Sequence, residues 1–171
     1  MKERTGVVEM KGNPLTLMGN EVKIGDTAPE FQTLDDNLQP VKLSAFKGQV
    51  VVISSVPSLD TQICDIETKR FNEEAKKFGE EVAILTVSMD LPFAQKRWAT
   101  DCGVKSIRLT SDHKDGSFGM AYGVLIKELR LLARAIFVIG KDGKIKYIQY
   151  VKETASEPDY DEVLNVVKQL L

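Results

Sequence analysis

The middle of the chain alternates short apolar runs with a longer amphipathic stretch. Residues 50–54 and 82–87 are largely apolar, which is typical of strands buried on both faces of a sheet. The stretch between them changes period and predicts an amphipathic helix. Its apolar stripe consists of Cys64, Phe71, Ala75 and Phe78. Gly79 follows the stripe and is placed to end the helix.

Turn residues divide the rest of the chain into hairpins and further helices. We expect hairpins that join residues 7–10 to 15–18 and residues 135–139 to 145–151, the second around Asp-Gly. Helices are predicted at residues 93–102, 119–127 and about 158–171. This order of elements indicates an α/β protein with a mixed central sheet flanked by helices. It is the order of a thioredoxin-like fold with an added N-terminal β-hairpin, and residues 1–171 show no composition break that would divide them into two domains.

Charge and residue content exclude several function classes. A net charge of -2 argues against broad binding to nucleic acid or to an anionic membrane. The first residues carry charge with no apolar stretch of signal-peptide length behind them, and no apolar run is long enough to span a bilayer. We therefore expect a cytoplasmic protein. With one histidine, His113, and two cysteines, the chain has too few ligands for zinc or multi-histidine iron sites, and we expect no metal or other cofactor.

Cys64 lies where a thiol can become reactive. It comes between a predicted buried strand and an amphipathic helix, and it occupies the first helical turn if Asp60 or Thr61 caps that helix. The unpaired N–H groups and the helix dipole there stabilise a thiolate, which is the nucleophilic form. The alternative is a small, buried and inert cysteine, the usual state of a free thiol. The position behind Pro57 and Thr61 favours the reactive interpretation.

Pro57, Thr61 and Cys64 match the Pro-x-x-x-Thr/Ser-x-x-Cys signature of the peroxiredoxins. The segments that resemble the thiol peroxidase subfamily are residues 55–61, 87–95, 111–113, 122–124 and 131–138. The resemblance covers nearly the whole chain. It implies that Cys64 is the peroxidatic cysteine, which attacks a hydroperoxide and becomes a sulfenic acid. It also implies that Thr61 and Arg134 orient the peroxide and stabilise charge, while Pro57 shields the thiolate.

Arg134 stands in an apolar segment, between Ala133 and Ala135. A buried arginine is costly unless it has a charged or strongly hydrogen-bonding partner. A thiolate would be such a partner, in agreement with the role that the resemblance implies. The alternative partner is a carboxylate at the end of the sheet.

The second cysteine departs from the pattern of the subfamily. The resolving cysteine usually follows the aromatic residue that is Trp98 here, but this chain has Ala99 in that place and Cys102 three residues later. Three residues move a side chain about 4.5 Å along a helix on roughly the same side. A disulfide needs Cα atoms about 4.4–6.8 Å apart, so either register requires local unfolding. Because Cys102 lies near the predicted helix end, we predict that it is the resolving cysteine; the alternative is that an external thiol or another subunit resolves Cys64.

The resemblance also implies partners. They are hydroperoxide substrates, thioredoxin or a similar dithiol reductant, and a second copy of the chain in a homodimer. A thioredoxin-like disulfide exchanger is disfavoured because it needs an attacking cysteine where Thr61 stands. A non-enzymatic redox sensor or holdase shares the oxidation of Cys64, and only turnover with a reductant separates it from a peroxidase.

Overall fold

The computed structural model describes residues 2–171. Its strands are β1 (Glu3–Met10), β2 (Asn13–Met18), β3 (Gln32–Leu34), β4 (Pro40–Lys42), β5 (Val50–Ser55), β6 (Val82–Ser88), β7 (Arg108–Ser111), β8 (Leu125–Ile126), β9 (Ala135–Ile139) and β10 (Ile145–Tyr150). Its α-helices are α1 (Gln62–Phe78), α2 (Pro92–Cys102), α3 (Ser117–Ala121) and α4 (Tyr160–Gln169). Short 3-10 helices span Leu43–Phe46 and Gly79–Glu81.

The central sheet is mixed, as the sequence predicts. Its seven strands lie in the order β10-β9-β5-β6-β7-β3-β4. Strands β5, β6 and β7 are parallel, while β9 and β3 run antiparallel to their neighbours β5 and β7. A second sheet of three strands, β1-β2-β8, contains the predicted N-terminal hairpin. The thioredoxin-like α/β prediction is therefore confirmed.

The two faces of the central sheet carry separate cores. On one face, Phe71 of α1 and Val163 and Val167 of α4 pack with apolar residues of β5, β6 and β9, and Trp98 of α2 lies against the same cluster. On the other face, the hairpin and α3 cover the sheet, with Phe118 of α3 fully buried. Every residue of β5 is buried. The end of β5 that leads into α1, and the start of α1 itself, are thus fixed by packing on both faces of the sheet.

Helices α1 and α2 begin and end where the sequence predicts. Thr61 is the N-cap residue of α1, and Gly79 ends the helix with a φ of 65°, a left-handed region that glycine tolerates best. Pro92 opens α2, where its missing N–H costs nothing. Gly103 closes α2 in the αL conformation, and its N–H donates to the carbonyls of Ala99 and Thr100.

One predicted helix is wrong in most of its length. Residues 119–127 were expected to be helical, but α3 ends at Ala121 and Leu125–Ile126 form strand β8. Gly123 takes a φ of 68°, and a Cβ there would lie 2.7 Å from the Asn20 carbonyl oxygen. The chain therefore turns at Gly123 and pairs with β2, which buries the apolar residues of β8 completely. Among the described residues, no helix is long and apolar enough to cross a membrane.

Candidate active site

Cys64 is the third residue of α1 and is completely buried. It packs with Val56 and Leu59, and Trp98 of α2 lies against the same cluster. The prediction that it occupies the first helical turn is confirmed, and this is the turn in which the backbone N–H groups have no partner within the helix. Burial excludes bulk water from the sulfur, which strengthens every electrostatic interaction around it.

Thr61 caps the helix with its backbone and not with its side chain. Its carbonyl accepts from the Asp65 N–H at 3.0 Å, and its hydroxyl donates to the Ser58 carbonyl at 2.9 Å. In this conformation the hydroxyl proton is therefore directed to the Ser58 carbonyl and not to the Cys64 sulfur. Since the proton is committed to Ser58, the lone pairs of the hydroxyl oxygen remain available as acceptors.

Arg134 is the largest fully buried side chain, at 1% exposure. Its Nη1 donates to the Glu67 carboxylate, and its Nε and Nη2 both donate to the Thr154 carbonyl, at 3.3 and 2.9 Å. Burial works against its charge, but Glu67 and the Cys64 sulfur outweigh that effect and hold the pKa of Arg134 above its ordinary value. Of the two partners considered from the sequence, the carboxylate is Glu67, and the Cys64 sulfur acts on the same guanidinium.

Glu67 is a site residue that the sequence reasoning missed. Its side chain is 0% exposed and accepts from the Ser54 hydroxyl at 3.1 Å as well as from Arg134. Burial raises the pKa of its carboxyl to about 7, against the lowering effect of Arg134 and Ser54. A signal was present, because Glu67 lies three residues after Cys64, on the helix face that carries the apolar stripe.

The loop between β5 and α1 is held from below by Asp90. The Asp90 carboxylate accepts from the Ser58 hydroxyl at 2.7 Å, the Leu59 N–H at 2.8 Å and the Ser88 hydroxyl at 2.7 Å. Pro57, at the start of this loop, is buried. The loop that carries Pro57 and Thr61 is therefore fastened to the end of β6, and Asp90 is a second residue that the site prediction did not include.

Cys102 lies on the last turn of α2 and faces the start of α1. Its Sγ is 3.9 Å from Asp65 Oδ1, which also accepts from Trp98 Nε1 at 3.0 Å. A groove of about 480 Å³ separates the two helices and is lined by Leu59, Asp60, Thr61, Gln62, Asp65, Arg97, Trp98, Asp101 and Cys102. Ala99, in contrast, lines a different depression, beside Val104 and Lys105. Cys102 thus lines the groove beside the start of the Cys64 helix, and Ala99 does not line it.

Both cysteines are free thiols in this conformation. Cys64 packs with Leu59 and Trp98, which line the groove, and Cys102 lines the groove itself. The role of Cys102 as resolving cysteine stays a prediction. Within residues 2–171, no group of three or more His, Cys, Asp or Glu side chains is arranged to hold a metal ion.

A thiol at a helix start, beside a buried arginine and on a thioredoxin-like sheet, defines a class of thiol-based redox proteins. Comparison with known proteins makes this specific: the Redoxin family model matches residues 23–164. The chain belongs to the redoxin family.

Its relatives confirm the resemblance to thiol peroxidases. The chain is 52% identical over 164 residues to a thiol peroxidase of Halalkalibacterium halodurans, a match that covers 96% of this chain and 98% of the relative. It is 49% identical over 164 residues to the thiol peroxidase of Bacillus subtilis, with the same coverage. A crystal structure of a peroxiredoxin-like protein from Aquifex aeolicus is similar with a TM-score of 0.91 and 46% identity, covering 98% of both chains. A thiol peroxidase from Chromobacterium violaceum shares the fold, with a TM-score of 0.83 at 20% identity over 95% of both chains.

Proposed function

We propose that this chain is a thiol-dependent peroxidase that reduces hydrogen peroxide and organic hydroperoxides with Cys64. The observation that carries the proposal is a buried thiol in the first turn of α1, next to the guanidinium of Arg134. The thiolate attacks the terminal peroxide oxygen, so that an S–O bond forms and the O–O bond breaks. The departing alkoxide or hydroxide takes up a proton and leaves as alcohol or water, and Cys64 becomes a sulfenic acid.

Three neighbours support this step. Arg134 supplies a fixed positive charge where negative charge moves from sulfur to the leaving oxygen. Thr61, whose hydroxyl oxygen has free lone pairs, accepts a hydrogen bond from the peroxide and orients it. Pro57 is buried at the start of the loop and limits the access of water to the thiolate.

Cys102 completes the proposed cycle. Its thiol attacks the sulfur of the Cys64 sulfenic acid, which forms a disulfide and releases water. Because Cys64 is buried, the first turn of α1 must open toward the groove before the two sulfurs meet. A reduced dithiol protein, thioredoxin or one similar to it, then attacks the exposed disulfide and restores both thiols.

Assembly and location are further parts of the proposal. Leu91 and Phe93 are 52% and 65% exposed at the start of α2, an apolar pair that a second copy of the chain can cover in a homodimer. Thiol peroxidase relatives in bacteria and the reducing partner that the cycle needs both favour the cytoplasm.

The test is one turnover followed by mass measurement. The reduced protein receives one equivalent of cumene hydroperoxide, and its intact mass is taken with and without thiol alkylation, while native mass reports the dimer. Under denaturing conditions, we expect a species of monomer mass that has lost two hydrogens. Neither of its cysteines should react with the alkylating reagent. Cys102→Ser should instead gain one oxygen, and Cys64→Ser should stay unmodified.

Two outcomes test the role of Cys102 and the reactivity of Cys64 separately. A wild-type protein that gains one oxygen while Cys102 can still be alkylated keeps Cys64 as the attacking residue and removes Cys102 as its resolver. If neither thiol reacts with hydroperoxide, the peroxidase proposal is wrong. Continued peroxide consumption with thioredoxin and its reductase separates an enzyme from a redox sensor.

A further inference from the structure

The N-terminal hairpin grips the loop that follows β10. The Glu9 N–H donates to the Lys152 carbonyl at 2.7 Å, and the Glu9 carbonyl accepts from the Thr154 N–H at 3.1 Å. These two bonds make a parallel bridge between Glu9 and Glu153. The backbone of β1 therefore holds both sides of residue 153, far from Glu9 in sequence.

The Glu153 side chain adds a second fastening between the same two segments. Its Oε1 accepts from the Lys11 N–H at 3.4 Å in the hairpin turn and from the Ala155 N–H at 3.3 Å in its own loop. Desolvation acts in the opposite direction, but the N–H groups of Ala155, Lys11 and Gly12 hold the pKa of Glu153 below its ordinary value. The Glu153 carboxylate is thus ionised at neutral pH and links the hairpin turn to the loop after β10.

The residue held by this grip is a partner of Arg134. The Thr154 carbonyl is the acceptor for Nε and Nη2 of Arg134, and Thr154 itself is only 6% exposed. One carbonyl therefore satisfies two of the buried guanidinium donors, and the remaining described bond is the one to Glu67. Because a guanidinium is planar, two fixed acceptors on different sides define its orientation.

We propose that the N-terminal hairpin is part of the active-site support: through Glu9 and Glu153 it holds the Thr154 carbonyl against Arg134 and so sets the guanidinium toward Cys64. Glu153 is a positioning residue, which acts on the reacting atoms only through Thr154 and Arg134. The inference rests on the proposed peroxidase function. It assigns the hairpin a role that covering the sheet does not require.

The test compares two carboxylates that staple the hairpin at different places. Glu153→Ala removes the side-chain bonds to the N–H groups of Lys11 and Ala155 and leaves the two backbone bonds of Glu9 in place. Glu128→Ala is the matched control, because Glu128 Oε1 accepts from the Thr16 N–H at 2.8 Å and fastens β2 without touching the loop after β10. The second-order rate constant of Cys64 oxidation by hydrogen peroxide is measured by rapid quenching and alkylation, and the rate of disulfide formation is measured separately.

We expect Glu153→Ala to lower the oxidation rate constant about tenfold, since small misplacements of a positioning group cost up to about a hundredfold. In Glu153→Ala the rate of disulfide formation should not change. Glu128→Ala should keep both rates within about twofold of the wild type, even if its melting temperature falls as much as that of Glu153→Ala. Glu153→Gln keeps the shape and one acceptor oxygen, so a smaller fall of about threefold is expected.

The other outcomes overturn the inference. It is wrong if Glu153→Ala oxidises at the wild-type rate, or if both alanine variants slow both steps equally. If Glu153→Ala does not fold, Glu153→Gln decides, and a wild-type oxidation rate in that variant rejects the inference. A wild-type protein whose Cys64 does not react with peroxide contradicts the proposed function instead, so the two failures are distinct.

Discussion

The buried carboxyl of Glu67 should make the protein less stable as the pH rises. Burial raises the pKa of Glu67 from its ordinary 4.5 to about 7 in the folded protein. Over that interval the folded protein binds a proton that the unfolded chain releases, so the stabilising contribution is fully present below pH 4.5 and is lost as the pH passes through about 7. At 1.36 kcal/mol for each pH unit, the loss is about 3 kcal/mol.

Glu67→Gln isolates the effect, because an uncharged amide has the shape of the protonated acid. Its oxygen can accept from Arg134 and its amide can donate to the Ser54 hydroxyl oxygen, so residue 67 keeps a hydrogen bond to both neighbours. The free energy of unfolding is measured with urea for both proteins, near pH 4.5 and near pH 8. We expect the wild type to lose about 3 kcal/mol more than Glu67→Gln between the two conditions.

Asp112 titrates in the same range but does not confuse the comparison. Burial raises the pKa of its carboxyl to about 6, against the N–H groups of Gly119 and Phe118 that it accepts from. Asp112 makes the same contribution to the pH dependence of the unfolding free energy in the wild type and in Glu67→Gln. Subtracting one protein's change from the other's therefore removes that contribution. If wild type and Glu67→Gln lose the same stability, or if the wild type gains relative to the variant as the pH rises, Glu67 is ionised throughout and the reasoning is wrong.

Two further predictions concern the helix contact and the hairpin. Trp98→Phe removes the hydrogen bond from Nε1 to Asp65 that links α2 to the start of α1. The loss of about 1 kcal/mol should make disulfide formation after peroxide treatment about fivefold faster. Rapid quenching and alkylation measures that rate, and slower disulfide formation in the variant would contradict the prediction. Gly19→Ala places a Cβ 2.3 Å from the Met120 carbonyl oxygen and should cost about 2–4 kcal/mol in urea unfolding. Gly12→Ala meets open space at a similar positive φ and is the control; equal losses in the two would show that φ alone decides.

The sequence predicts the central strands because burial on both faces leaves a continuous apolar run. Residues 50–54 and 82–87 are apolar runs, and in the structure they are the central strands β5 and β6. The helix predicted at residues 119–127 is wrong in most of its length because a short apolar run has no distinct period. What decides there is a tertiary contact, the approach of Gly123 to the Asn20 carbonyl, which no local pattern records.

For the site, local chemistry was predictable and its long-range partners were not. The position of Cys64 in the first turn follows from a strand, a capping residue and a helix, all within one segment. The guanidinium of Arg134 meets a carboxylate 67 residues away and a backbone carbonyl 20 residues away. A backbone carbonyl carries no sequence signature, so the Thr154 contact could be found only in three dimensions.

The proposed role of Cys102 agrees with the contacts that hold the two cysteines. The proposed oxidation site at Cys64 is held by the long-range contacts of Arg134 and by the loop bonds of Asp90. Cys102, by contrast, lies on the last turn of α2, and its described contact to α1 is the one with Asp65. Peroxide reduction needs atoms held in place, whereas disulfide formation needs one helix start to open and one helix end to reach it. A shift of three residues along α2 therefore leaves the contacts that hold Arg134 and the Asp90 loop unchanged.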